Sequence, residues 1–386
     1  MATHADVLIL GGGVIGLTTA YFLARDGVRV TVLDQSDFGQ EASWAGAGIL
    51  PPAALAETNT PLETLRCHSY RLFPSLSEEL RERTGIDNGY LRCGGLELSF
   101  GPGESREEWH GCGITLQTLD EPDLARLEPN LARGLGQAIY LPDMAQLRNP
   151  RHLKALLAAC KSSGVNLRPG CAAHGFVSEG RRILAVKTLD GNIPAERFLL
   201  ATGAWTKPLV DSLGCNIPIK PIRGQIALLN SGSPLFRRIL LWGSRYLVPR
   251  PDGRVLVGST EEDAGFDKRT TSQAISDLLS MANMLVPDLT GAHLERCWAG
   301  LRPGSPDGLP FLGPIPGWDN VFVAAGHFRA GIQLSPGTAL VMKECLLGQP
   351  LSFSLAAFGL DRDHRTFRQW GGSANHLAEP PDEPTA

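Results

Sequence analysis

Asp6-Val-Leu-Ile-Leu10 runs directly into Gly11-Gly-Gly-Val-Ile-Gly16, and Val28-Arg-Val-Thr-Val-Leu33 follows eleven residues later. The first run is short and apolar after its aspartate, the pattern of a strand buried on both faces of a parallel sheet. Ile15, Thr19, Phe22 and Leu23 then share one helical face, and Asp26-Gly27 supplies the glycine that ends such a helix. The third run predicts a second strand with Asp34 at its carboxyl end. A strand–helix–strand unit of this length crosses over right-handed between parallel neighbours. Gly11-x-Gly13-x-x-Gly16 has dinucleotide spacing: Gly11 permits the tight turn, Gly13 lets backbone approach a pyrophosphate, and Gly16 lets helix and strand pack closely. The helix amino terminus then faces the phosphates. Asp34, eighteen residues beyond Gly16, is placed to accept from a ribose hydroxyl. It would repel a 2′-phosphate, and Gln35 brings no compensating cation, which disfavours NADP. On this motif alone FAD and NAD both stay open.

Working outward, 386 residues imply two domains or one large interleaved unit, at roughly 100–200 residues per domain. Thirty-six basic against 40 acidic side chains leave a net charge of −4, which disfavours nucleic acid or an anionic membrane as partner. The eight cysteines show no C-x-x-C spacing and are read as reduced thiols of a cytoplasmic protein. The amino terminus lacks a signal peptide's basic region, and no apolar run is long enough to span a membrane. Further helices are predicted over Leu62–Arg83, Pro150–Ser163, Ser272–Leu285 and from about Pro336 to Leu347. A strand pair is expected at 90–100, turning on Gly94-Gly95. Strand-like stretches cluster at 219–229, 238–242, 245–250 and 254–259, a density of antiparallel signal that suggests a second sheet. The tail after Gly371 is expected to be disordered.

Two segments favour FAD. Phe198-Leu-Leu-Ala-Thr-Gly203-Ala-Trp205 reads as a strand entering a glycine turn, where backbone approaches a cofactor. Gly326-His-Phe-Arg-Ala-Gly331 precedes the last helix, whose positive end would stabilise negative charge on a reduced flavin. With GGGVIGL, SWAGAGIL, ATGAW, PIRGQ, WAGLRPGSPDGLPFLG and AAGHFRAGIQLSPGTA in this order, the chain resembles the D-amino acid oxidase family of flavoproteins from residue 6 to about 350. Within it the pattern is most similar to members acting on glycine or a similar small amino acid.

The resemblance implies an α/β fold: a Rossmann-type, glutathione-reductase-like FAD-binding domain with an inserted antiparallel-sheet substrate domain. The FAD domain is expected at 1–84, 145–217 and 300–350, the substrate domain at 85–144 and 218–299. It implies non-covalent FAD, since Cys297 and Cys345 fall outside the motif where covalent relatives attach it. Cofactor contacts are expected from Gly11, Gly13, Val14, Ile15 and Gly16, from Asp34 and Gln35, and from Ala42, Ser43, Ala47, Gly48 and Ile49. Ala173 and Gly203 join them, as do His327, Phe328, Arg329, Ala330, Gly331, Ile332 and Gln333.

For chemistry, the resemblance assigns Arg302 to clamp the substrate carboxylate, Tyr246 to hydrogen-bond it and Arg329 to the flavin-proximal end. Independently, an arginine between Gly300 and Pro303 in an apolar stretch has no solvated helix face, and its planar fork matches a carboxylate. A structural ion pair is the competing assignment for Arg302, a core aromatic role for Tyr246, and a backbone-organising role for Arg329. Glu261 is expected to point towards the substrate amine; His327 to contact flavin rather than act as a base; Trp44 and Trp205 to pack. No metal ligand set is read. The expected reaction passes hydride from a small amino acid to flavin and then electrons to molecular oxygen, giving an imino acid and hydrogen peroxide. A sarcosine-type or N-substituted amino acid oxidase, a D-amino acid dehydrogenase with another acceptor, an NAD enzyme and an FAD-holding scaffold stay open. The resemblance also suggests a homo-oligomer.

Overall fold

The computed structural model describes residues 5–54, 60–98 and 113–362. The glycine unit forms strand Ala5–Leu10, helix Val14–Arg25 and strand Val30–Leu33, the two strands parallel from Val7↔Val30 to Leu10↔Leu33. Gly11 adopts φ +103°, and a Cβ there would lie 2.4 Å from the Ala201 carbonyl oxygen. A Cβ on Gly16 would lie 1.9 Å from the Gly11 carbonyl oxygen. The turn and the helix–strand contact therefore both need a bare α-carbon. Alternation explains the apolar run: Val7 and Ile9 pack under helices 14–25 and 149–162, while Leu8 and Leu10 join Phe198, Leu200 and Val323 on the other face.

The parallel core has the order 321–325, 191–200, 5–10, 30–33, 166–168. Antiparallel strands 175–179 and 182–188 extend it from the first half of strand 191–200, and 311–314 pairs with 321–325. The second sheet has the order 293–304, 220–230, 254–258, 245–249, 239–242, 95–98, 138–141, 117–119. Its apolar face packs on helix Ser272–Leu285 through Leu229, Leu247 and Val257 against Leu278, Met281 and Leu285. The long helix Pro61–Thr84 is bounded by local chemistry. Thr60 caps it by accepting from the Glu63 N–H, Pro61 takes the first position, and Gly85 closes it in the left-handed region.

Three expectations change. Residues 91–92 and 95–98 do not pair with each other: the first joins strand 145–146, the second strands 138–141 and 239–242. Gly94, at φ +75° against the Tyr140 ring, directs the chain from one sheet into another. The last helix begins at Gly331, so Pro336 lies inside it. Proline cannot donate to the Ile332 carbonyl four residues back, and the Ser335 hydroxyl donates to it instead at 2.9 Å. His293–Gly304 is one long strand paired with Lys220–Asn230, so the second sheet continues beyond the expected limit at residue 299. Its charged first half hides the strand in the sequence, whereas Gly300-Leu-Arg-Pro reads as loop. The tail after Gly371 lies outside the described residues, as does part of 90–100.

Candidate active site

A cavity of about 550 Å³ extends from the glycine turn, between the two sheets, to Arg302 and Tyr246. Both ends are set by strand termini. Asp34 ends strand 30–33, and its carboxylate accepts from the Gly12 N–H at 2.8 Å and the Ser36 N–H at 2.9 Å. Burial raises its pKa, and these hydrogen bonds oppose the rise. Gln35 beside it is exposed. Gly11, Gly13, Val14 and Ile15 form the adjoining wall, where Ser43 Oγ accepts from the Val14 N–H at 2.9 Å. Ala42, Ala47, Gly48 and Ile49 continue it, and Ala173 and Gly203 close the opposite side.

His327 to Gln333 bring the amino terminus of the last helix onto the same cavity. Neither this helix nor Val14–Arg25 has an N-cap residue whose side chain bonds the first turn, and only the Val14 N–H of the latter is taken, by Ser43; both direct a positive dipole end at the cavity. Phe328 sits at φ +46°, a rare backbone state for a bulky residue and one found where a site constrains the chain. His327 is buried, bonds Thr338 Oγ1 at 3.0 Å, and is pushed down by burial to a pKa of about 3. It is neutral at physiological pH and suited to packing, not proton exchange.

At the far end, Arg302 projects from strand 293–304. Nη2 donates to Ser259 Oγ at 2.6 Å and Nη1 to the Thr260 carbonyl at 3.1 Å. Among the described residues no carboxylate pairs with it. It is half-buried because one side opens on the cavity, yet enclosed enough that desolvation lowers its pKa. Tyr246 is buried beside it, from strand 245–249, and its field favours the charged guanidinium. Phe328 lies under the guanidinium with the ring centroid 5.9 Å from Cζ. PIRGQ contains Gly224, but nothing local in the sequence shows its role: a Cβ there would clash with the Arg302 guanidinium. Its bare α-carbon makes room for the guanidinium to lie across the neighbouring strand. Ser259 and Ser244 were missed for a similar reason, since a loop serine carries no signal of its partner.

Two expected site residues do not line the cavity. Gly16 lies behind the turn, packed on Gly11 and Ile9. Glu261 is drawn aside by charge: its Oε2 pairs with Arg329 Nη1 at 3.3 Å instead of pointing freely at a substrate amine. Trp44 packs on Trp298, whereas Trp205 stacks on Phe266 and also forms cavity wall. No group of side chains suited to hold a metal ion occurs among the described residues, and no helix among them is long and apolar enough to cross a membrane.

The donor set fits an elongated dinucleotide bearing a flat ring: a glycine cradle and a helix end for phosphates, a carboxylate for ribose, and a second helix end for an electron-rich ring. Comparison with known proteins agrees. Residues 6–344 match the family model described as FAD dependent oxidoreductase, DAO. Glycine oxidase of Pseudomonas putida is 38% identical over 345 residues, 89% of this chain and 94% of that protein. The bifunctional protein ThiO/ThiG of Synechocystis is 36% identical, over 94% of this chain and 54% of the relative. The crystal structure of glycine oxidase from Geobacillus kaustophilus superposes with a TM-score of 0.89 at 35% identity, covering 93% of this chain and 99% of that one.

Proposed function

The chain belongs to the DAO family of FAD dependent oxidoreductases, and from that premise we propose that it oxidises glycine or a similar small amino acid. It is an FAD-dependent amino acid oxidase; the choice of substrate is what the site geometry argues. The observation that carries it is Arg302: a recessed guanidinium, bonded only to neutral acceptors, facing a cavity beside a buried tyrosine. An arginine so placed lacks a charge partner until a carboxylate arrives. The likeness to two glycine oxidases supports a small substrate.

FAD, which the glycine turn, Asp34 and the last helix end would hold, would supply a two-electron acceptor for hydride from the α-carbon of a substrate whose amine is neutral, with oxygen as final acceptor and the nitrogen proton released to solvent. The protein's part is positioning. Arg302 and Tyr246 hold the carboxylate, so the α-carbon is oriented and the bimolecular encounter becomes intramolecular. Ser259 and Thr260 hold Arg302, and Gly224 leaves it room. The two helix amino termini would hold negative charge on the dinucleotide. No residue needs to remove a proton from carbon, which suits a cavity whose histidine is locked neutral. For glycine the imine yields glyoxylate and ammonia on hydrolysis, or is passed to thiazole assembly for thiamine, a role supported by the likeness to ThiO/ThiG.

Anaerobic mixing of the holoenzyme with glycine, sarcosine and D-alanine tests the reading. Bleaching of the flavin by glycine or sarcosine, with about one peroxide per substrate in air, is expected. A flavin that no small amino acid reduces would overturn it, and reduction without peroxide would point to a dehydrogenase.

A further inference from the structure

Arg329 lines the cavity, and Glu261, which does not, pairs with it. Arg329 lies in the turn Phe328–Ala330, Glu261 just after strand Arg254–Gly258. Besides the 3.3 Å contact to Glu261, Arg329 Nη2 donates to the Ser244 carbonyl at 2.5 Å. Arg329 borders the cavity, and its charge is already committed to a carboxylate of the chain itself. Arg66, also in the wall, is likewise paired with Glu63. Arg245, half-buried, also lines the wall beside Tyr246. Arg302 faces the interior with neutral acceptors for its hydrogen bonds. Glu261 favours the charge on Arg302 and Arg329 opposes it, so both are near enough to act on whatever Arg302 holds.

We propose that Glu261 sets substrate charge: by neutralising Arg329 it restricts the cavity to amines bearing one carboxylate and disfavours those with a second anionic group. This rests on the amino acid oxidase reading above. A second carboxylate near Arg329 must displace Glu261 and then face its charge, a repulsive element that discriminates between otherwise similar ligands. An uncharged residue at 261 would leave Arg329 free as a second anion site.

Sarcosine and iminodiacetate are matched probes, each a secondary amine with one carboxymethyl arm for Arg302, differing by one carboxylate. In the holoenzyme, Glu261→Gln should raise the kcat/KM ratio of iminodiacetate to sarcosine about tenfold or more, as expected for one close charge pair. Glu261→Asp should keep the original ratio, and adding Arg329→Met to Glu261→Gln should remove the gain. Binding is read separately by calorimetry with the unreactive ethers diglycolate and methoxyacetate. The unaltered protein should bind methoxyacetate at least as tightly as diglycolate, and Glu261→Gln should reverse that order. An unchanged ratio in Glu261→Gln, a gain that survives Arg329→Met, or an unaltered protein preferring diglycolate would each overturn the proposal. Failure of the amino acid oxidase reading appears differently, as no flavin reduction by sarcosine or glycine in any variant, while the ether titrations still report the charge preference.

Discussion

At the scale of single residues, Arg302 combines neutral partners with a face on the cavity; Arg250 also donates only to neutral acceptors, Gln146 Oε1 and the Leu147 and Ala47 carbonyls, but does not line it. Arg362 is buried too, but Asp307 holds it at 2.7 Å, which makes it a structural cation. Replacing Arg302 by alanine should cost about 2–5 kcal/mol in carboxylate binding, expressed mainly as a higher KM. Steady-state kinetics on glycine check this, and a near-normal KM would remove Arg302 from the clamp. Gly224→Ala is a subtler probe. The atoms nearest the new methyl are the guanidinium end of the arginine, so folding and flavin content should persist while KM rises several-fold. Asp34→Ala should weaken flavin retention more than turnover of the reconstituted enzyme, because its carboxylate organises the Gly12 turn at the ribose end. Flavin content after dialysis measures it.

Among elements, the last helix departs furthest from its sequence signals. It begins five residues earlier than a proline-based reading suggests, since Ser335 replaces the donor that Pro336 lacks. The next residue, Gly337, lets it press against helix Pro61–Thr84: a Cβ there would lie 2.5 Å from Ser69 Oγ and 2.9 Å from the Leu65 carbonyl oxygen. Gly337→Ala should therefore destabilise by about 1–3 kcal/mol through overpacking, although alanine is the better helix former. Thermal unfolding with flavin in excess would show a lowered midpoint; an unchanged or raised one would mean that the two helices separate easily. Ser259, Ser244 and Glu261 belong to turns of the second sheet. What they touch follows from where those turns fall against the FAD-side helix end, and no local spacing encodes it.

For the whole molecule, buried histidines predict how stability responds to acid. His152 sits in the core with Asn88 Nδ2 at 3.2 Å from Nδ1 and no partner for Nε2, and burial lowers its pKa to about 4. His327 is lowered to about 3. With folded values below the unfolded value near 6.5, the unfolded chain binds more protons, so their contribution is complete above about pH 6.5 and declines as pH falls towards 4. Urea midpoints should drop across that window, and His152→Gln should flatten the slope; equal slopes in both proteins would refute it. The amino-terminal unit was legible because its determinants are local: a buried strand must be apolar on both faces, a left-handed turn needs Gly11, and a helix end needs Gly27. The glycine turn of the cavity wall was legible for the same reason, whereas Ala42, Ser43, Ala47, Ile49 and Ala173 were read only through the family resemblance. The strand His293–Gly304, the room made by Gly224 and the pairing of Glu261 with Arg329 were decided only in three dimensions. Each joins residues tens of positions apart, and a charge or a gap acquires meaning only when folding sets its partner beside it.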